Sequence, residues 1–397
     1  MRIQVPFRTS LYLLKPVISP AFFLPKCLKI LSLSANRIIM SAGTTMKRII
    51  KITFSIILFL FLLQAAAAEE LTFVTMNAWS ALDARGFFSC DEFEPENDRL
   101  FRNEILTSAL AETGADVIVL NGLNPAAAQA SSIAAELGMA AEVWVSRSGV
   151  RFGPVSLPAN LKEGDAILTA ESLSTESAGR LHLNGLLSTG PVTLFSKKGV
   201  QIFGSLITAG DTSFYVFSIV WTESLFDDEK SLEGLLKGYL EGRISADEYT
   251  ELVSNAVEGS ASRRAQASET LSFINSIAGE SPVVLMGSFN ALPGSGELSV
   301  LTDAGFVDVF KRTGRGPGFT IDTEENSNFE KIPDGSPQAA LKEGSGRYRS
   351  DYIMIRGAGV KPLSAEIVLD EPVYGVYPSN RYGLKAVIEF VPNPSAQ

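Results

Sequence analysis

The chain has 397 residues, 46% hydrophobic and 20% charged, with 34 basic side chains against 44 acidic ones and a single histidine. That length holds one large or two modest globular domains, and the composition is that of a globular fold. The formal charge of -10 is uneven: residues 1–68 carry nine Lys or Arg and no acid, so the remainder has 34 - 9 = 25 basic and 44 acidic groups, a net of 25 - 44 = -19. A body that negative repels polyanions, which argues against generic nucleic-acid binding but leaves a local basic cleft open. Of the two cysteines, Cys27 lies in the leader and Cys90 in the body, so an internal body disulfide is excluded, and no Cys/His cluster offers a zinc site.

Two stretches precede the fold. From Met46 the chain reads MKRIIKITFSIILFLFLLQAAAAEE. Lys47, Arg48 and Lys51 form a basic start, Ile52 to Leu63 an apolar core, and Ala65 to Ala68 a small-residue cleavage zone, the three parts of a secretory signal. An uncleaved anchor is the rival, but the core falls short of the ~20 residues a spanning helix needs. Residues 1–45 make little sense upstream of an export signal and read as an over-extended translation start. The mature chain is therefore expected from about Glu69, in a bacterial periplasm or outside the cell.

In chain order, Leu71 to Met76 is a short apolar strand, and Asp98 to Thr113 is helical, with Ile105, Leu106, Ala109 and Leu110 on one face. A turn at Gly114 leads into DVIVL, a strand too apolar to have a wet face. Ala126 to Leu137 is a second helix. Strand-like runs follow at Ala140 to Val145, Ala166 to Thr169, Val192 to Phe195, Gln201 to Ala209 and Phe214 to Val220. Asp227 to Glu258 is acidic and helical, resembling a small hairpin, and in such segments the usual outcome is a solvated insertion. Ser260 to Ile277 is an amphipathic helix, followed by strands at Val283 to Met286, Ser350 to Ile355 and Leu384 to Phe390. Strands and helices alternate without a repeat or long linker, so residues 69–397 are expected to form one α/β domain with helices covering sheets.

Eight of these segments, taken in order, resemble the endonuclease/exonuclease/phosphatase superfamily. TMNAWS is similar to its opening strand and Asn, GADVIVLNGLNP to its Leu-Gln-Glu strand, and NLKEGDAILTAESL to its Gly-Asn-Ala-Ile-Leu segment. FYVFSIVW is similar to the strand ending in Thr-His, SRRAQASETLSFI to the Arg-x-x-Gln helix, and VVLMGSFNALPGSGEL to the Gly-Asp-Phe-Asn loop. RYRSDYIMI and YPSNRYGLKAVIEF resemble the closing Asp-Tyr-Ile and Ser-Asp-His strands. The resemblance implies a DNase I-like four-layer sandwich of two mixed β-sheets flanked by helices. It implies phosphoric ester hydrolysis with a divalent cation, usually Mg²⁺, held by a Glu and an Asn. An Asp activates water, and two His stabilise the phosphoryl charge.

Carried over position by position, the metal Glu falls on Gly122 and the Gln before it on Asn121. The first His falls on Val220 and the Thr before it on Ile219. The loop Asp falls on Ser288, the last Asp on Asn380 and the last His on Arg381. Asn77, Asn290 and Asp351 remain. The only histidine, His182 in GRLHLNG, lies outside both His motifs. Gly122 has no ligating group, Val220 no proton to exchange, and Ser288 no base of its own. The expectation is a pseudoenzyme with no metal or other cofactor at the family site, binding a small anion or a protein partner. Arg381, expected to pair with Asp351, would then form with Asn77, Asn290 and Asn380 a neutral-to-positive, anion-favouring floor.

Plainer roles stand beside these. Asn77 and Asn290 suit strand-end hydrogen bonding, Asp351 an ion pair with Arg349 or Arg381, His182 a loop position, and Trp79 and Trp221 packing. An active hydrolase with a relocated site is the alternative, its carboxylates being Glu163 and Asp165, or Asp91, Glu92, Glu94 and Glu96. The latter run suits a hard cation such as Ca²⁺, or is simply a solvated acidic loop. A purely structural or interaction role is the third reading.

Overall fold

The computed structural model describes residues 68–391, apart from 84–89, 153–154, 184–199 and 333–345, together with residue 53. The expected leader and signal core, and the expected strand Val192 to Phe195, lie outside the described residues. Among the described residues, no helix is long and apolar enough to cross a membrane.

The first half of the fold runs β1 (Glu69–Asn77), β2 (Leu82–Asp83), β3 (Asp91–Glu92), α1 (Glu96–Glu112), β4 (Val117–Leu123), α2 (Ala126–Leu137), β5 (Met139–Phe152), β6 (Val155–Ala170), β7 (Ser174–His182), β8 (Gln201–Ala209) and β9 (Thr212–Val220). The second half runs α3 (Glu229–Leu240), α4 (Ala246–Ala278), β10 (Val283–Ser288), α5 (Gly296–Asp303), β11 (Val307–Asp308), α6 (Val309–Thr313), β12 (Ile321–Asp322), a 3₁₀ turn (Ser327–Lys331), β13 (Arg347–Tyr348), β14 (Asp351–Arg356), β15 (Val360–Val368) and β16 (Gly383–Phe390). One six-stranded sheet has the order β15-β16-β1-β4-β6-β5 and the other β11-β14-β10-β9-β8-β7. Both are mixed: β1 runs parallel to β4 and β9 parallel to β10, while their other pairings are antiparallel.

Side-chain alternation along the strands builds the layers. Phe73, Val117, Val119, Phe214, Val216, Val284, Met286 and Ile353 point between the sheets and form one core. The intervening Val74, Ile118 and Leu120 face Leu106, Leu110 and Ile133 of α1 and α2, and Phe217, Leu285 and Met354 face Ala267, Ile274 and Leu301 of α4 and α5. The result is the four-layer sandwich implied by the resemblance. Truncating a buried aromatic here, such as Phe73 or Phe214, is expected to cost about 3–5 kcal/mol.

The hairpin expected for 227–258 differs in two ways. Its second arm does not stop near residue 258, because α4 continues unbroken from Ala246 to Ala278. Gly259 is a packing position, not a break: a Cβ there would collide with Ser224 Oγ, so glycine lets the 224 loop lie against the helix. Nor is the insertion merely solvated, since Leu235 and Ala256 are buried in a satellite cluster with Trp79, Phe226, Phe329 and Tyr348. Strands β7 and β15 were not expected. β7 (STESAGRLH) is an exposed edge strand without an apolar rhythm, and β15 carries Pro362, tolerated because this strand lies on a sheet edge.

Candidate functional site

The inward-facing rows of the central strands end in polar residues. Asn77 follows Phe73 and Thr75, Asn121 follows Val119, Ser218 follows Val216, Ser288 follows Met286, and Asp351 precedes Ile353. Strand order brings these ends together at one end of the inter-sheet layer, with Asn77 opposite Asn121 and Ser288 opposite both Val220 and Asp351. Asn77, Asn121, Ser288 and Asp351, all read from the sequence, thus lie together, with Ser218 beside them.

Asp351 is the hub. Its Oδ1 accepts from Ser288 Oγ at 2.7 Å, and its Oδ2 accepts from Thr320 Oγ1 at 2.8 Å and Ser350 Oγ at 3.0 Å. Arg381 Nη1 lies 3.3 Å from both oxygens. Arg381 Nη2 donates to Glu223 Oε1 at 2.9 Å and Asn290 Oδ1 at 2.8 Å. Asn77 Nδ2 donates to Ser288 Oγ at 3.3 Å, and Asn121 Oδ1 accepts from the Ser288 amide at 3.1 Å. Ser288 is fully buried and Asp351, Arg381 and Asn290 are 1%, 3% and 4% exposed. Burial alone would lower the pKa of Arg381, but Asp351 and Glu223 outweigh it, and the guanidinium is held even more firmly charged than usual.

Arg381 therefore does not create the expected neutral-to-positive floor. Two carboxylates face one guanidinium, and the remaining donors point inward: Asn290 Nδ2 reaches Trp221 O at 2.8 Å and Asn77 Nδ2 reaches Ser288. Asn380 is buried beside them, its Oδ1 receiving Ser379 Oγ at 3.4 Å. Glu223 was not singled out from the sequence, although it lies only three residues beyond Val220. Its segment is fixed by α4: Gln266 bonds both the Thr222 amide (2.9 Å) and its hydroxyl (2.7 Å), and Arg263, paired with Glu297 at 3.2 Å, contacts Ser224. The Arg-x-x-Gln pattern thus places Glu223 against Arg381.

Gly122 sits at φ +67°, and a Cβ there would stand 2.8 Å from Asn77 Oδ1. Its amide donates to Asp165 at 3.0 Å. Asp165 is buried, also accepts from Gln201, and burial pushes its pKa up to about 7. Glu163 instead pairs with Arg147 at 2.9 Å, so these two carboxylates do not form an open catalytic pair. The 91–96 run does not converge either. Glu94 is buried in an ion pair with Arg102 at 2.7 Å and reaches Lys331 at 3.1 Å; Glu92 pairs with Arg99 at 2.9 Å; Glu96 is exposed at the start of α1. The Asp91 side chain lies outside the described residues. Arg102, a second residue the sequence reading passed over, sits on the apolar face of α1 and donates to the carbonyls of Ala78, Trp79 and Pro378, tying the loops on both sides of the floor. A cation on an otherwise apolar helix face was the available signal.

Four of the segments leaving the floor turn into the satellite cluster. Trp79 follows Asn77, Leu225 and Phe226 follow Glu223, Leu292 follows Asn290, and Tyr348 precedes Asp351. The Tyr348 hydroxyl is buried without a partner, and its pKa is raised by burial. Leu235 of α3 and Ala256 of α4 pack onto these loops, so the insertion is fixed beside the polar floor. Trp221 is also a packing residue, its Nε1 bonding Thr270 Oγ1 at 3.1 Å. His182 lies elsewhere, its ring tilted against Trp144 with centroids 4.5 Å apart, lining a groove of ≈ 730 Å³ between the edge strands β5 and β7.

A model of the endonuclease/exonuclease/phosphatase family matches residues 74–380, well over half of the chain. The chain belongs to that family. Solved structures with the same fold include an endonuclease/exonuclease/phosphatase from Bacteroides vulgatus, at 14% identity and a TM-score of 0.52, covering 81% of this chain and 99% of that one. Another is a family protein from Bacteroides thetaiotaomicron at 13% identity and a TM-score of 0.51, covering 82% and 99%. The human nocturnin catalytic domain with bound sulfate matches at 14% and 0.50, covering 82% and 98%. No curated protein matches in sequence.

The residues now at the family's metal position do not fit a divalent cation. Gly122 offers no carboxylate, Asn77 spends its amide nitrogen on Ser288 and its Oδ1 on the Trp79 amide (2.9 Å), and Asp351 is saturated by hydroxyl and guanidinium donors. Among the described residues, no group of three His, Cys, Asp or Glu could hold a metal.

Proposed function

We propose that this is an exported, non-catalytic member of the endonuclease/exonuclease/phosphatase family, which keeps the scaffold and acts by binding a partner. The observation that carries this reading is the buried Arg381–Asp351 pair, joined by the partly exposed Glu223 and sitting where the family's charge clamp would contact phosphate. Hydrolysis needs a reachable floor with a base and a charge-neutralising group. The core of this floor is buried, its serine is bonded to a carboxylate, and its guanidinium is already paired.

The test is turnover of phosphodiester and phosphomonoester substrates by the protein from Glu69 onward, with Mg²⁺, Mn²⁺ or Ca²⁺. Background rates are expected with every metal. Metal-dependent turnover abolished by Asp351→Asn would overturn the reading. Export is supported by the start of β1 at Glu69, immediately after the signal-like segment. N-terminal sequencing of the secreted form should give a start near Glu69; a mature protein retaining residues upstream of Met46 would contradict it.

A further inference from the structure

We infer that the outer face of α3 is a docking surface for a cationic amphipathic helix of a partner protein. This deepens the binding reading above and rests on it. α3 has two faces. Ser231, Leu235 and Gly238 are buried against the body. The opposite face carries Leu236 and Leu240 at 41% and 73% exposure, while Tyr239 lies to the side and stacks on Tyr249 of α4 with ring centroids 5.4 Å apart.

The spacing narrows the partner. Glu229, Glu233, Leu236 and Leu240 stand at i, i+4, i+7 and i+11, the seam spacing of paired helices. All four are exposed. The seam is apolar at its C-terminal end and acidic at its N-terminal end. A complementary helix has two apolar residues at one end of its seam and two Lys or Arg at the other. The surroundings have the same sign: residues 227–258 hold nine acids and three bases, a net of 3 - 9 = -6, and Lys237 and Arg243 already contact Glu241 at 3.9 and 3.0 Å. A second copy of this acidic surface, or an anionic membrane, meets like charge; a cationic helix is steered toward it.

The test is fluorescence anisotropy with a synthetic helix about 18 residues long, roughly five turns, carrying Leu-Leu-Lys-Lys along its seam. The control carries Leu-Leu-Glu-Glu. Saturable binding at least about tenfold tighter than the control is expected. Leu236→Ser with Leu240→Ser, both at exposed positions, should weaken it by about tenfold or more, and Glu229→Lys with Glu233→Lys should do the same while leaving the apolar end intact. Equal affinity for the two peptides, no binding, or binding unchanged in both double variants would overturn the proposal. So would sedimentation showing self-association through this face, or partition onto zwitterionic vesicles that the Leu236/Leu240 variant abolishes. None of these readouts involves turnover, so the proposal fails separately from the non-catalytic reading.

Discussion

Arg381 Nη1 stands 3.3 Å from each carboxylate oxygen of Asp351, deep inside the protein, while Nη2 of the same guanidinium reaches Glu223 at 2.9 Å. The position that would carry a phosphate-binding His in the family thus carries a guanidinium between two carboxylates. A buried pair of this kind is weak evidence of stabilisation as a whole, but removing one partner leaves an uncompensated charge.

Asp351→Ala should therefore destabilise the protein by about 3–5 kcal/mol. Urea denaturation measures it. A loss below about 1 kcal/mol would mean that water or Glu223 alone satisfies Arg381, and that the floor is not the closed network described.

Restoring the family's metal carboxylate should fail. Gly122→Glu places a side chain at φ +67° with its Cβ 2.8 Å from Asn77 Oδ1. The left-handed backbone costs a non-glycine residue roughly 1–2 kcal/mol, before the contact is relieved. Thermal unfolding should show the loss, and calorimetric titration with Mg²⁺ should show no new site. Mg²⁺ binding gained by Gly122→Glu would show that the site needs only its carboxylate.

Asp165 gives a pH signature. Burial pushes its carboxyl up to about 7, against the donors Gln201 and Gly122 and in the direction reinforced by Glu163. Between its ordinary value of 3.8 and about 7, the folded protein holds a proton that the unfolded chain has released. Stability from this group is thus largest in acid and falls by about 1.4 kcal/mol per pH unit up to pH ~7, then levels off. Asp165→Asn should remove that slope and be more stable than the native protein at pH 8. Urea midpoints across the range decide it; an identical slope in the Asn variant would place the titration elsewhere.

Much of the fold is legible in the sequence because its central strands are buried on both faces. Runs such as DVIVL and PVVLM admit few other structures, and their order identifies the scaffold. The substituted positions Gly122, Val220 and Ser288 are legible for the same reason, since each sits at the end of such a run. Partners are less so. Glu223 and Thr320 reach Asp351 and Arg381 only through tertiary geometry, and no local pattern marks them. The packing of the insertion onto the loops beside the floor is also hidden: Asp227 to Glu258 reads as acidic, while the few apolar residues that decide its packing, Leu235 and Ala256 among them, are outnumbered by charges on its wet face. The long α4 is missed because Gly259 resembles a helix end until Ser224 is seen against it.

That packing gives the proposed lack of turnover a second test. Leu235 is 2% exposed and packs from the insertion into the cluster with Trp79 and Tyr348. Leu235→Ala should cost about 2–5 kcal/mol, the usual range for a buried Leu. It should also loosen the cluster locally, so that acrylamide quenches Trp79 more strongly, while Trp144 and Trp221, packed in other clusters, are unaffected. Single-tryptophan variants resolve the three. If cover alone silenced an intact site, opening it would bring metal-dependent phosphodiesterase activity. With Gly122, Val220, Ser288 and Arg381 on the floor, the expected result is greater access with turnover still at background. Activity appearing in Leu235→Ala would mean that the insertion is a lid over working chemistry.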